Sequence, residues 1–359
     1  MILDTIKIFV PAVLSFFIGI AITPSLTSYF YAKKMWKHSS RSKENCDAMS
    51  VAFQKIHNEN GELRTPRVGG VIIWLSVLAT SIIFSLLAIV FHNPTSAAST
   101  FSLTDKMDFL SKNQTLLPLL ALIFASIIGL LDDMLQIYGN SAKWGDGISR
   151  KYRILVVLLI GAIGAWWFYF KLGVLSVHIP FDGDIYLGLL FIPFFMLVML
   201  GVFSGSVIDG IDGLAGGVLI PSFVSYMIIA FSQNQIDLAA FCAVIAGGIL
   251  AFLWFNIPPA RFYMGETGML GLTVTLSIIA FLTREVLLLP LIAFPLFVTS
   301  LSSSIQMFSK KYFGRKVFRI APIHHHFEAL GWPSYKVTMR FWIISVVCCL
   351  MGTVLALIG

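Results

Sequence analysis

Charge is scarce in this chain. Lys, Arg, Asp and Glu make up 12% of it, against about 25% in an ordinary soluble domain. So little charge excludes a single water-soluble core. Cysteine is scarce too. Cys46, Cys242, Cys348 and Cys349 form no CxxC and no other metal-ligand spacing, so they read as ordinary residues and not as a zinc site. No RNA-binding signature or basic tail accompanies the net charge of +7, and nucleic acid is not expected as a partner. No lysine-rich segment leads into the first apolar run, which starts near Ile8 and is long enough to span a bilayer. It reads as a first membrane helix and not as a cleaved signal. No internal repeat is evident, which argues against a transporter built from inverted halves.

What the chain has in abundance is apolar sequence. Hydrophobic residues are 57% of it and the mean hydropathy is +0.86. A membrane helix needs roughly 20 mostly apolar residues. Ten runs qualify, at 8–30, 68–92, 115–131, 154–172, 186–205, 214–232, 238–255, 268–283, 286–308 and 341–358. The fold class expected is therefore an all-α polytopic membrane protein of about ten transmembrane helices. Residues 1–359 form one integral membrane domain, with the lipid bilayer as its surroundings. Pro290 and Pro295 predict that the ninth helix is bent.

The basic residues orient these spans. Of the 25 Lys and Arg, twenty fall in the loops 31–67, 132–153, 256–267 and 309–340. All four loops lie on one side of a ten-span chain. The other side has only Lys7, Lys106, Lys112, Lys171 and Arg284. The positive-inside rule then places the odd-numbered loops in the cytoplasm and both termini outside.

Four polar clusters share that cytoplasmic side. Asp132 and Asp133 close the third span. Asp209 and Asp212 lie in Asp209-Gly210-Ile211-Asp212-Gly213, between spans five and six. Glu266 precedes span eight in Met264-Gly265-Glu266-Thr267. His324, His325 and His326 lie between spans nine and ten. Each has an ordinary explanation alone: a solvated helix end, a plain turn, a carboxylate at a helix N-terminus, an incidental polar stretch. Arg64 and Arg67 read equally well as headgroup-facing charges. Together the clusters point to one site. Carboxylates at the membrane level are costly and usually functional, and converging carboxylates repel unless a cation joins them. Oxygen ligands without a Cys/His quartet suit Mg2+, which takes one or two carboxylates plus substrate phosphates. Histidines and basic residues bind phosphate oxygens. The parts suit phosphoryl transfer. Asp105, Asp108, Asp182 and Asp184 fall on the outer side and have no expected role.

At these residues the chain resembles the polyprenyl-phosphate N-acetylhexosamine-1-phosphate transferase superfamily along nearly its whole length. Within it the resemblance is closest to the phospho-N-acetylmuramoyl-pentapeptide transferase family. It is carried by Thr65-Pro66-Arg67-Val68-Gly69-Gly70, Asp132-Asp133, the stretch from Asp209 to Gly216, Phe255-Asn256 with Met264-Gly265, and the stretch from Ala321 to Glu328 followed by Gly331-Trp332-Pro333. The ordered set is far more specific than any one member. The resemblance implies ten helices with both ends outside, a homodimer, and an active site facing the cytoplasm of the bacterial inner membrane. It also implies a reaction in which phospho-MurNAc-pentapeptide passes from UDP-MurNAc-pentapeptide to undecaprenyl phosphate, giving lipid I and UMP.

It further implies residue roles. Asp132 is the candidate base or nucleophile toward the lipid phosphate, and Asp133 neighbours that phosphate and the metal. Asp209 and Asp212 line the nucleotide and metal cleft, with Ser206 and Asn256 beside them. Glu266 stands at the magnesium position, so that Glu266, Asp133 and Asp209 form the expected metal set. His324 is expected to act on the donor, with His325, His326, Arg153 and Arg67 as further substrate contacts. The chain departs from the family pattern at four places. Glu266 replaces an aspartate, Ser206 an asparagine and Gln136 a lysine, and Arg67-Val68 replace Thr-Met. Two alternatives remain at this point: a UDP-GlcNAc:polyprenyl-phosphate GlcNAc-1-phosphate transferase, and a non-catalytic paralogue acting as a scaffold. An ion-coupled transporter would carry charges near the middle of its spans, where almost none occur.

Overall fold

The computed structural model describes residues 2–36, 65–90, 107–110, 114–138 and 147–359. Lys37, Arg41, Lys43, Cys46, Lys55, Arg64, Asp105, Lys106, Lys112 and Lys143 lie outside the described residues. The helices are α1 (Ile2–Ala32), α2 (Gly70–Val90), α3 (Leu116–Tyr138), α4 (Arg150–Trp166, with a π turn at Trp167–Lys171) and α5 (Phe191–Ser204). They continue as α6 (Leu214–Ser232), α7 (Ile236–Asn256), α8 (Gly265–Leu282), α9 (Leu289–Ile292), α10 (Phe294–Phe313), α11 (Ile323–Ala329) and α12 (Ser334–Ile358). Among the described residues, nine helices are long and apolar enough to cross a membrane. A tenth span is the pair 286–292 and 294–313, bent by 79° at Ala293, between Pro290 and Pro295. The chain is thus a multi-pass membrane protein with the expected bend. The helices outrun the apolar runs. α12 starts at Ser334 and not near 341, and α10 carries Lys310 and Lys311 in its last turn, where cations favour the helix dipole.

Small residues set the closest helix contacts, as van der Waals packing between membrane helices requires. α7 lies against α1 and α2, with Gly19 facing Ala251 and Gly248 facing Ser76. α7 and α8 are the most enclosed spans, whereas α1 and α12 leave one face to the surroundings. Hydroxyls in the core bond backward to carbonyls, Thr23 to Gly19 and Thr275 to Gly271 among them.

Among the described residues, one element departs from an all-helical reading. Ser176–Ile179 (β1) and Gly183–Tyr186 (β2) form an antiparallel hairpin, with Ser176 opposite Tyr186. Asp184, which had no expected role, fixes it. Its carboxylate pairs with the Arg284 guanidinium and bonds the His178 ring, and both partners hold its carboxyl below the usual carboxylate range. Asp108 likewise accepts from the Leu110 N–H at 2.9 Å. Lys7 at the start of α1 pairs with Asp237 at the start of α7 at 2.5 Å, and Gly359 lies beside Pro180 of the hairpin. α7 then runs 21 residues to Asn256, a length of about 30 Å. Gln233, just before α7, donates to the Thr283 carbonyl beside Arg284, so the first turns of α1 and Gly359 lie at the hairpin end of the bundle, opposite the end where Asn256 sits.

Candidate functional site

The site is organised around the N-terminus of α8. A helix begins with four N–H groups that have no partner within it, and the first turn of α8 is half-buried to buried. Its N-cap residue, Met264, supplies no side-chain acceptor. The acceptors come from elsewhere in the chain. The Gly265 N–H donates to Asp209 Oδ2 at 2.9 Å, and the Glu266 N–H to Asp133 Oδ1 at 3.1 Å. The Thr267 N–H and hydroxyl both donate to Asp133 Oδ2, at 2.8 and 2.5 Å. Two carboxylates at the positive end of the helix dipole complete the cap. Three expected site segments thus meet because one helix end needs acceptors.

The glycine-rich segment 65–70 joins the same point. The Tyr263 N–H donates to the Pro66 carbonyl, and the Gly69 and Gly70 N–H groups donate to the carbonyls of Tyr263 and Met264. Arg67 is exposed, and its charge acts on the Asp209 carboxyl. α3 also presses on this turn. A Cβ at Gly129 would lie 2.2 Å from the Glu266 carbonyl oxygen, so only glycine allows the two backbones to approach. Burial pushes the Asp209 carboxyl up to about 6, against the downward pull of the Gly265 N–H and of Arg67.

Asp132 points away from its neighbour, because successive helical side chains diverge by about 100°. Its Oδ1 accepts the Ile148 N–H at 2.5 Å, and its Oδ2 accepts from Gln136 Nε2 at 3.3 Å. Arg153 stands between two carboxylates. Its Nη1 is 2.5 Å from Glu266 Oε1 and 3.7 Å from Asp132 Oδ2, while its Nε donates to the Ile148 carbonyl. Asp132, Arg153 and Glu266 line a small cavity with Ile128, Val156 and Leu270. Glu266 Oε2 is buried there with no hydrogen-bond partner.

The imidazoles do not act as one block. The His324 and His325 rings meet edge to face with centroids 4.3 Å apart. Both direct Nε2 at Gly210, where a Cβ would lie 2.8 and 2.9 Å from them. His325 Nδ1 is 2.6 Å from Glu328 Oε2, and Glu328 Oε1 accepts the Ser334 hydroxyl. His326 faces elsewhere. Its Nδ1 accepts the Arg319 N–H, and its ring lies against Phe318. Asn256 and Asp212 hold loops together. Asn256 Oδ1 accepts the Gly213 N–H, its Nδ2 donates to the Phe262 carbonyl, and Asp212 Oδ2 accepts the Ala260 N–H. The Ser206 carbonyl accepts the Asp209 N–H.

Two expectations change in consequence. The set Glu266, Asp133 and Asp209 does not close around a common point. Among the described residues no three acidic, imidazole or thiol groups converge as an ion cage. The reason is the α8 cap, which engages both oxygens of Asp133 and one of Asp209. Glu266 keeps an orphaned oxygen beside the cavity, and Mg2+ needs only one or two protein carboxylates when phosphates supply the rest. The donor set fits such an ion on Glu266. Second, His326 is set apart from the other two histidines by the helical twist of α11. Sequence reasoning also passed over Thr267 and Glu328. Glu328 was detectable, being three residues after His325 on a helix, where side chains meet.

Comparison with known proteins identifies the family. The pattern of glycosyl transferase family 4 matches residues 115–284. A phospho-N-acetylmuramoyl-pentapeptide-transferase of Clostridium perfringens (strain 13 / Type A) is 34% identical over 290 residues, covering 80% of this chain and 83% of the relative. One of Chloroflexus aurantiacus (strain ATCC 29366 / DSM 635 / J-10-fl) is 32% identical over 308 residues, covering 82% and 77%. One of Geobacillus sp. (strain WCH70) is 29% identical over 343 residues, covering 95% of both. With 34% identity to the first of these over at least four fifths of both chains, the protein belongs to the phospho-N-acetylmuramoyl-pentapeptide transferase family.

Proposed function

We propose that this chain transfers phospho-MurNAc-pentapeptide from UDP-MurNAc-pentapeptide to undecaprenyl phosphate, releasing UMP and forming lipid I for peptidoglycan synthesis. The reaction takes place at the cytoplasmic face of the bacterial inner membrane, with Mg2+ as cofactor. The whole chain is one transferase domain and, as the family resemblance implies, works as a homodimer. Sidedness rests on the positive-inside rule: alternation of the spans assigns the loops rich in Lys and Arg to the same side as Asp132, Glu266 and His324.

The observation that carries the chemistry is the cavity between α3, α4 and α8, where Asp132, Arg153 and Glu266 meet. Bound at Glu266, Mg2+ would neutralise phosphate charge during transfer. Asp132, fixed by the Ile148 N–H and Gln136, serves as the base for the lipid phosphate. Arg153 offers a planar fork for phosphate oxygens. His324 and His325, set against the Asp209-Gly210 turn, contact the donor. Asp133, Asp209, Asp212 and Asn256 position these groups by fixing the α8 N-terminus and the loops beside it.

The test is UMP release by the purified protein with undecaprenyl phosphate and Mg2+, comparing UDP-MurNAc-pentapeptide with UDP-GlcNAc. Release with the pentapeptide donor alone, stopped by EDTA, is the expected result. Release with UDP-GlcNAc alone overturns the donor assignment, and no release with either donor favours a scaffold.

A further inference from the structure

We propose that Arg153 is a resident counter-cation of Glu266 that a divalent ion must displace, so that metal loading frees the guanidinium for substrate phosphate. The proposal deepens the phosphotransferase reading above and rests on it. Its basis is a division of labour within one carboxylate. Glu266 Oε1 is held at 2.5 Å by Arg153 Nη1, while Oε2 is buried beside the same cavity without a partner. A buried carboxylate oxygen with no donor is costly, and it is accounted for when a second cation belongs there.

The two cations compete. A guanidinium and a divalent ion a few ångströms apart repel strongly in a partly enclosed site. Each therefore loosens the other's hold on Glu266. Arg153 has somewhere to go. It is about one third exposed, and its Nε is tied only to the backbone carbonyl of Ile148, the residue whose N–H orients Asp132. Phosphate oxygens offer the fork a bidentate partner that a shared carboxylate oxygen does not. Arg153 moving to phosphate would leave Glu266 to the metal and remove a positive charge from beside Asp132. The glutamate itself takes part in the device. An aspartate at position 266 would be one methylene shorter and would draw the carboxylate away from Nη1.

The experiment measures Mn2+ binding to the purified full chain without nucleotide, by the loss of the free-ion paramagnetic resonance signal. Wild type is compared with Arg153→Met, which keeps the bulk without the charge, and with Glu266→Asp. Arg153→Met is expected to bind Mn2+ about ten-fold more tightly than wild type. Glu266→Asp, which shortens the arm and keeps the carboxylate, is expected to bind about three-fold more tightly. Should Arg153→Met fail to fold, the Glu266→Asp titration decides alone. Unchanged or weaker Mn2+ binding in the variants overturns the proposal. UMP release by wild type, assayed in parallel, tests the enzyme reading separately. A chain that releases no UMP but shows the tightened Mn2+ binding keeps the counter-cation and loses the reaction, and the reverse pattern loses only the counter-cation.

Discussion

Removing the Asp133 carboxylate should unfasten α8. Three donors end on this side chain: the Glu266 N–H, the Thr267 N–H and the Thr267 hydroxyl. A hydrogen bond to a charged acceptor contributes about 1.5–3 kcal/mol net. The three share one carboxylate, so their effects do not add in full. Asp133→Ala is therefore expected to cost about 4 kcal/mol. Asp133→Asn keeps one oxygen as acceptor but turns an NH2 toward donors, and should cost about 2 kcal/mol. At ~2 °C per kcal/mol, unfolding would come about 8 °C and about 4 °C earlier. A thiol-reactive fluorophore in detergent suits the measurement, because unfolding adds the buried Cys242 and Cys349 to the signal of the partly exposed Cys348. Asp132→Asn is the control. Asp132 bonds the Ile148 N–H and Gln136 and not the α8 cap, so turnover should fall with a shift of less than about 2 °C. Should both Asp133 variants unfold within about 2 °C of wild type while turnover is lost, Asp133 touches substrate or metal, and the cap is not its role.

Further outcomes follow from the same geometry. Gly210→Ala places a methyl 2.8 and 2.9 Å from the Nε2 atoms of His325 and His324; kcat/KM should fall about 100-fold with the unfolding temperature nearly unchanged, since small displacements at a reacting site are that costly. Glu328→Ala releases the His325 ring whereas Glu328→Gln retains an acceptor; KM for the nucleotide donor should rise about ten-fold in the first and stay near wild type in the second. Asp209 titrates near 6 in the fold against 3.8 as a free side chain. Protons therefore favour the folded state, so that stability declines as pH rises from about 4 to about 6, by at most about 3 kcal/mol, and is level above. Unfolding temperature measured across that range should show the slope in wild type and lose it in Asp209→Asn.

The spans were legible because hydropathy is a one-dimensional signal. Ten runs of apolar residues are enough to place the spans, and Pro290 and Pro295 mark the one that bends, which it does at Ala293. That the acid clusters belong to one end was legible for the same reason, since alternation of spans assigns each loop an end. The hairpin at 176–186 was not. Its strands are four residues each, too short for a period to register, and it depends on Arg284, a hundred residues away in sequence.

Which way each polar side chain points was the least legible feature, and helix geometry explains why. Adjacent residues on a helix diverge by about 100°, so neither Asp132-Asp133 nor His324-His325-His326 acts as a block. Asp133 turns to the α8 N–H groups, and Asp132 to Ile148 and Arg153. His324 and His325 turn to Gly210, and His326 to the Arg319 backbone. The sequence displays the acids as equals. The fold ranks them by which face a helix end without its own cap: Asp133 and Asp209 satisfy α8, and Glu266, within the first turn so capped, is left with an oxygen to offer. Substituting the cap residues should therefore affect catalysis through the placement of Glu266. A loss of turnover in such variants identifies a ligand only when the unfolding temperature has not moved with it.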